Sequence, residues 1–160
     1  MAEQHYCLND LLHLMSRLRA PQGGCPWDLE QNFHSIVPST IEELYEVVEL
    51  IEAERFDELP DELGDLLFQS VYHAQMASEQ NSFDINDVVH GITEKMISRH
   101  PHVFENETAI TAQDVNEIWD QKKDQEKVGR GSNDLPSALD GVTQSLPALL
   151  KAQKLQKKAS

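Results

Sequence analysis

"TIEELYEVVELIEAERFDELPDELGDLLFQ", residues Thr40 to Gln69, reads as two helices with a short break between them. Ile41, Leu44, Val48 and Ile51 recur at helical spacing, and Leu63, Leu66 and Leu67 resume it after the break. Ser39 with Glu42, and Thr40 with Glu43, have capping-box spacing, so one helix is expected from about Thr40 to Ala53. "ERFDELPDE" is the connection. Asp57 is the expected N-cap of the next helix, about Glu58 to Glu79, and Pro60 fits its first turn. Gly64 inside that helix costs roughly 1 kcal/mol against alanine, which close approach of a neighbouring helix would explain. A connection this short makes the two helices antiparallel neighbours.

The stretch carries eleven carboxylates against one base, Arg55. Glu43 and Glu46 are three residues apart on the first helix, and Glu62 and Asp65 are three apart on the second. Residues so spaced share a helix face, so an antiparallel pair can bring all four together. Glu42 and Glu49 stand at the margin of that group. Converging negative charges repel unless a cation compensates, and hard oxygen ligands select Mg²⁺, Mn²⁺ or Ca²⁺. Mg²⁺ suits carboxylates on rigid helices, with Mn²⁺ as its substitute. The EF-hand loop pattern is absent. No histidine has a glutamate three residues before it, as a di-iron bundle site would want, so Mg²⁺ is favoured over iron. A solvated acidic face is the competing reading, and spacing alone leaves both open. The near lack of basic partners favours the cation.

The 160 residues fit one domain with a single core. A net charge of −15 argues against a nucleic-acid or anionic-membrane partner, since both need a basic surface. Cys7 and Cys25 make no metal or redox motif and no disulfide scaffold, which points to the cytoplasm. No apolar run approaches a membrane span, and "MAEQHYCLND" lacks a signal-peptide pattern.

Periodicity is helical throughout, so the fold class expected is all-α. Asn9 or Asp10 can cap a first helix bearing Leu11, Leu12, Met15 and Leu18, which "RAPQGGCPWD" ends. Pro38 marks a boundary before the helix at Thr40. Asp84 caps a helix whose apolar face is Ile85, Val88, Val89, Ile92, Met96 and Ile97, ending at Pro101. Asp114 caps a segment through Val115, Ile118 and Trp119, and the polar run from Lys122 to Asn133 is expected to be mobile. Residues 1–121 therefore form the expected domain, and 122–160 a polar linker and C-terminal segment.

Lys95 and Arg99, one helical turn apart, can grip phosphate oxygens, although surface ion pairing is the simpler reading. Trp27, Gln31, Phe33 and His34 can form a base pocket. Against this, Trp27 and Phe33 read as core anchors of the loop. His73 reads as a satisfied buried histidine, His100 and His102 as loop structure, and Cys25 has no base beside it. Lys151 to Lys158 reads as a helix C-terminus or a linker.

Together, "EELYE" (E-E-x-x-E) and, fifteen residues on, "ELGD" (E-x-x-D) resemble the signature of the MazG-type all-α nucleoside triphosphate pyrophosphohydrolases. "GGCPWDLEQ", "DELGDLLFQSVYHAQMA", "KMISRHPHVF" and "SLPALLKAQKLQKKAS" resemble the family's flanks, so the likeness covers essentially the whole chain. It looks like the first of the two domains that many members carry in tandem. The resemblance implies a four-helix-bundle-like core that dimerises, with the site near the subunit interface. It implies Mg²⁺ ligands at Glu43, Glu46, Glu62 and Asp65, with Glu42 holding or activating water. It also implies triphosphate contacts from Lys95 and Arg99, and an aromatic near the nucleotide at Trp119. The implied reaction is Mg²⁺-dependent hydrolysis between the α- and β-phosphates, giving a nucleoside monophosphate and pyrophosphate, for house-cleaning of the nucleotide pool. Two alternatives stand beside it: a non-catalytic dimerisation or nucleotide-sensing module, and a narrow-specificity dUTPase-like pyrophosphatase.

Overall fold

Eight helices follow one another in the computed structural model, which describes residues 5–105, 109, 111–129 and 142–159. They are α1 (Leu8–Leu18), α2 (Pro26–Glu30), α3 (Phe33–Glu52), α4 (Leu59–Glu79), α5 (Ile85–Arg99), α6 (Pro101–Phe104), α7 (Ala112–Gly129) and α8 (Ala148–Ala159). Among the described residues there is no strand, so the chain is all-α. It divides into two units, Met1–Glu94 and Lys95–Ser160, with the boundary inside α5.

In the first unit α4 is the central element, and α3 and α1 pack on it. Met15, Ile36, Val71, Tyr72 and Met76 form the buried core, with Leu11, Leu12, Phe33, Phe68 and Ile85 packed against it. The loop after α1 needs its two glycines. Gly23 has φ +77°, and a Cβ on Gly24 would collide with the carbonyls of Leu18 and Ala20. Arg19, itself buried, clamps this loop to α4. Its Nε and Nη2 donate to Glu79 at 2.8 and 2.7 Å, and its Nη1 donates to the carbonyls of Asp28 and Gln31. Tyr72 donates its hydroxyl to Asp28 Oδ1 at 2.8 Å, which satisfies that buried carboxylate.

Helix starts show one repeated correction. The acid expected as an N-cap usually stands three positions later, where it completes a capping box. In α1 the N-cap is Cys7, and Asp10 accepts its N–H at 2.8 Å. In α7 Thr111 caps and Asp114 accepts the Thr111 N–H at 2.9 Å. In α4 the cap residue is Glu58, not Asp57. Asp84 does cap α5, accepting from the N–H groups of Asn86 and Asp87.

The helix expected from Thr40 begins at Phe33 instead. Asn32 caps it, accepting from His34 and Ser35, and Ser35 Oγ accepts the Asn32 N–H at 2.9 Å. Pro38 therefore lies inside α3. The bond it forfeits, to the His34 carbonyl, lies on an exposed part of the helix where water can take its place. At the other end Glu54 has φ +55°, and Arg55 and Glu54 return hydrogen bonds to the carbonyls of Leu50 and Ile51. This Schellman arrangement stops α3 and turns the chain into α4. Gly64 has open space where a Cβ would stand, so no helix among the described residues approaches closely enough to explain it.

In the second unit α7 continues through the polar run to Gly129 rather than ending near Trp119, while residues 130–133 lie outside the described residues. The end of the chain forms α8, with the side chains from Lys157 onward outside the described set.

Candidate functional site

The decisive feature is which face of α3 meets α4. Residues 36, 40, 43, 47 and 50 alternate by four and three, the spacing of a helix edge packed along another helix. Ile36, Val47 and Leu50 on this edge are buried. Ile41, Leu44, Val48 and Ile51, the apolar set that marks the helix in the sequence, lie one residue further, about 100° round the helix. They stay 37–50% exposed. The unbroken apolar stripe thus points outward, and the packed edge includes Thr40 and Glu43.

The facing edge of α4 carries Glu62, Asp65, Gln69, His73 and Met76. Thr40 meets Gln69 and His73, Phe33 stacks on His73, and Glu43 meets Asp65. Numbers fall on α4 as they rise on α3, so the pair is antiparallel. One carboxylate oxygen from each of Glu43, Glu62 and Asp65 lies within 4.8 Å of the others. Glu46, one turn beyond Glu43, acts on both Glu43 and Glu62 as a hydrogen-bond partner and as a charge.

Electrostatics follow from this crowding. Burial first, then the hydrogen bond that protonated Glu43 donates to Glu46 and the charges of Asp65, Glu46 and Glu42, push Glu43 up to about 7. Burial first, then the charges of Glu46, Asp65 and Asp61, also raise Glu62. Arg55 is engaged elsewhere, paired with Glu58 through Nε at 2.6 Å. Glu42 is exposed beside Glu43, and Glu49 is exposed towards the end of α3. The donors are hard carboxylate oxygens on two packed helices, which fits Mg²⁺ or Mn²⁺ and offers no imidazole or thiolate.

Trp27 and Gln31, in the same unit, are not among these carboxylates' partners. Trp27 is 59% exposed on α2, not a core anchor, whereas Phe33 does pack against the core. Gln31 uses both ends of its amide locally: Nε2 donates to the Trp27 carbonyl at 2.9 Å, and Oε1 accepts from Ser35 Oγ at 2.8 Å. In the second unit, Arg99 donates to Glu126 at 2.9 and 2.6 Å and lies 4.9 Å over the Trp119 ring. Trp119 also meets His100 edge-on at 5.2 Å. Lys95 is half-buried.

Residues 31–104 match the family model described as the MazG nucleotide pyrophosphohydrolase domain. They are a MazG domain. The chain is 48% identical over 153 residues to a nucleoside triphosphate pyrophosphohydrolase of Escherichia coli K12, covering 96% of this chain and 57% of that protein. It is 38% identical over 160 residues to the nucleoside triphosphate pyrophosphohydrolase/pyrophosphatase MazG of Thermotoga maritima, covering all of this chain and 59% of that protein. It is also 44% identical over 144 residues to the uncharacterized protein YabN of Bacillus subtilis, covering 90% of this chain and 28% of that protein. The chain thus spans less than three fifths of the length of each of these three relatives.

Within the MazG domain, sequence reading missed the polar layer beside the acids. Thr40 Oγ1 lies 3.2 Å from His73 Nε2 and 3.4 Å from Gln69 Oε1, and bonds the Ile36 carbonyl at 3.2 Å. Gln69 is buried, and burial lowers the pKa of His73, which keeps the ring neutral. The histidine expected to be buried at position 73 is half-buried, with Thr40 Oγ1 as the partner of its Nε2. The signal was available: Thr40 and Gln69 fall on the four-three edge once it is counted from Ile36.

Proposed function

We propose that this MazG domain hydrolyses nucleoside triphosphates between the α- and β-phosphates, releasing a nucleoside monophosphate and pyrophosphate. The observation that carries the reading is the carboxylate group in the α3–α4 seam, within residues matched to a pyrophosphohydrolase domain. Glu43, Glu46, Glu62 and Asp65 are assigned as ligands for Mg²⁺, with Mn²⁺ as a substitute. Held there, the ion supplies charge neutralisation and Lewis acidity towards a polyphosphate. Pushed up to about 7, Glu43 is only partly ionised near neutral pH in the ion-free protein, so ion binding at the ionised carboxylate is coupled to proton release. Glu42, exposed next to Glu43, is assigned to orienting the attacking water. Lys95 and Arg99 are assigned to the polyphosphate on charge alone, and Trp27 and Trp119 offer ring faces to a base. The outward stripe of Ile41, Leu44, Val48 and Ile51 supports a homodimer that covers it. The biological role assigned is clearance of normal or damaged nucleotides in the cytoplasm. No described helix is long and apolar enough to cross a membrane.

A second reading has its own support. The relatives named as pyrophosphohydrolases are much longer than this chain, so the activity their names record can reside in the part it does not match. The MazG domain would then bind nucleotide without turnover. One experiment separates the two. Purified chain with Mg²⁺ and a panel of NTPs and dNTPs should release pyrophosphate. Glu43→Gln and Asp65→Asn should each lower the rate by more than the roughly 10–100-fold that outer-shell partners of a metal cost. Calorimetric binding of Mg·NTP without release would establish the binding module. Neither binding nor release would defeat both readings.

A further inference from the structure

One carboxylate oxygen from each of Glu43, Glu62 and Asp65 lies within 4.8 Å of the others across the seam, an arrangement that exists only while α3 and α4 stay aligned. One turn away along the same seam lies the layer of Thr40, Gln69 and His73. Thr40 precedes Glu43 by three residues, and Gln69 follows Asp65 by four. The layer crosses between the helices: Thr40 Oγ1 on α3 meets His73 Nε2 at 3.2 Å and Gln69 Oε1 at 3.4 Å on α4. Phe33, one turn before Ile36, stacks on the His73 ring at 5.9 Å with 2° between planes and so fixes how the ring is turned. Apolar contacts on either side, Ile36 before and Val47 beyond, tolerate sliding, because one aliphatic group packs much like another. A buried amide and a half-buried imidazole do not. Sliding α3 by one turn would set Thr40 against other partners and leave Gln69 buried without its bond, which is costly. A polar residue in an apolar seam fixes helix register in the same way in coiled coils.

We infer that Thr40, Gln69 and His73 are a register lock that holds Glu43 opposite Asp65, and so are positioning residues for the cation; this rests on the cation-binding reading of the acidic cluster. They touch neither ion nor substrate. The lock acts on ion affinity through the alignment of the helices.

The test uses Mn²⁺ alone as probe, titrated into the full chain and followed by electron spin resonance. Thr40→Val keeps the shape and removes the hydroxyl, Thr40→Ser keeps the hydroxyl, and Gln69→Met removes the amide at similar length. Circular dichroism selects a temperature at which every variant is fully helical, so loss of folding does not enter the comparison. Thr40→Val and Gln69→Met should weaken Mn²⁺ binding by about tenfold or more, the size seen when groups that orient metal ligands are removed. Thr40→Ser should stay within about twofold of the parent, since the hydrogen bond survives. Unchanged affinity in Thr40→Val overturns the lock and leaves the cation site standing. If Thr40→Val does not fold, unchanged affinity in Gln69→Met overturns it equally. A parent chain that does not bind Mn²⁺ defeats the cation reading itself, and the lock with it.

Discussion

Glu43→Gln should stabilise the ion-free protein, and only above acidic pH. Glu43 titrates near 7 in the folded chain, against 4.5 for an ordinary glutamate, because it is partly buried and faces Glu46, Asp65 and Glu42. At about 1.36 kcal/mol per pKa unit, that displacement sets a ceiling of about 3.4 kcal/mol on the cost of the charge. Water screens a half-buried group, so a cost of about 1–2 kcal/mol is the working figure. The sign follows from proton counting. Below pH 4.5 Glu43 is protonated whether folded or not, and there is no cost. Between 4.5 and 7 the unfolded chain has lost the proton while the folded chain keeps it, so stability falls as pH rises. Above 7 both states are ionised and the full cost persists. Glutamine carries no charge and escapes this cost, while carboxylates that do not face Glu43 cancel in the difference between the two proteins. Calorimetric melting in chelator at pH 8 should therefore place Glu43→Gln above the parent by about 2–8 °C, at about 2–4 °C per kcal/mol for a chain of this length. The gap should close near pH 4.5. Added Mg²⁺ should reverse the order by raising only the parent. Equal melting at pH 8 in chelator, or a gap that does not change with pH, would refute the crowding of the four acids.

Two further outcomes test the frame around the site. Arg19→Met should cost about 3 kcal/mol in urea unfolding, because it strands Glu79 and leaves the Asp28 and Gln31 carbonyls without their buried donor; Glu79→Gln should cost less, since Glu79 keeps a third of its side chain in water. Gly64→Ala should raise stability by up to about 1 kcal/mol, because the added methyl meets open space on α4; a loss of stability would mean that another copy of the chain packs there.

The sequence revealed the helices more readily than their facing. Asp84 was legible as a cap because it directly precedes an apolar periodic run, and Pro60 because a first turn tolerates it. Asn32 was hidden because Pro38, six residues on, outweighed it as a boundary signal. The larger miss concerns α3. Its longest apolar stripe, Ile41 to Ile51, marks the helix but not its packed face, whereas the edge that packs on α4 is interrupted by Thr40 and Glu43. Hydrophobic periodicity reports where apolar residues are, not which of two apolar faces finds a partner within the same chain. Convergence of the acids was still legible, because the three-residue spacing within each helix does not depend on that choice, and Glu43 lies within reach of Glu62 and Asp65. The partners of Arg99 were not: Glu126 lies in a run that composition marked as mobile, and nothing local marks it as helical.

That miss answers why so apolar a segment carries so much charge. A carboxylate on an outward face would be solvated and would neither repel its neighbours strongly nor hold an ion. On the packed edge Glu43 is partly withdrawn from water and forced towards two acids of another helix, which is the condition for a high affinity for cations. Asp65 and Glu46 remain exposed, so the cluster opens to solvent on one side. The seam can hold such a layer only because its neighbours resist separation: Val47 and Leu50 on one side, and the Thr40 layer and the Met15–Tyr72 core on the other. The outward stripe is the consequence. With the packed edge given partly to acids and polar groups, α3 carries its remaining apolar residues about a quarter-turn away, on a face that stays 37–50% exposed.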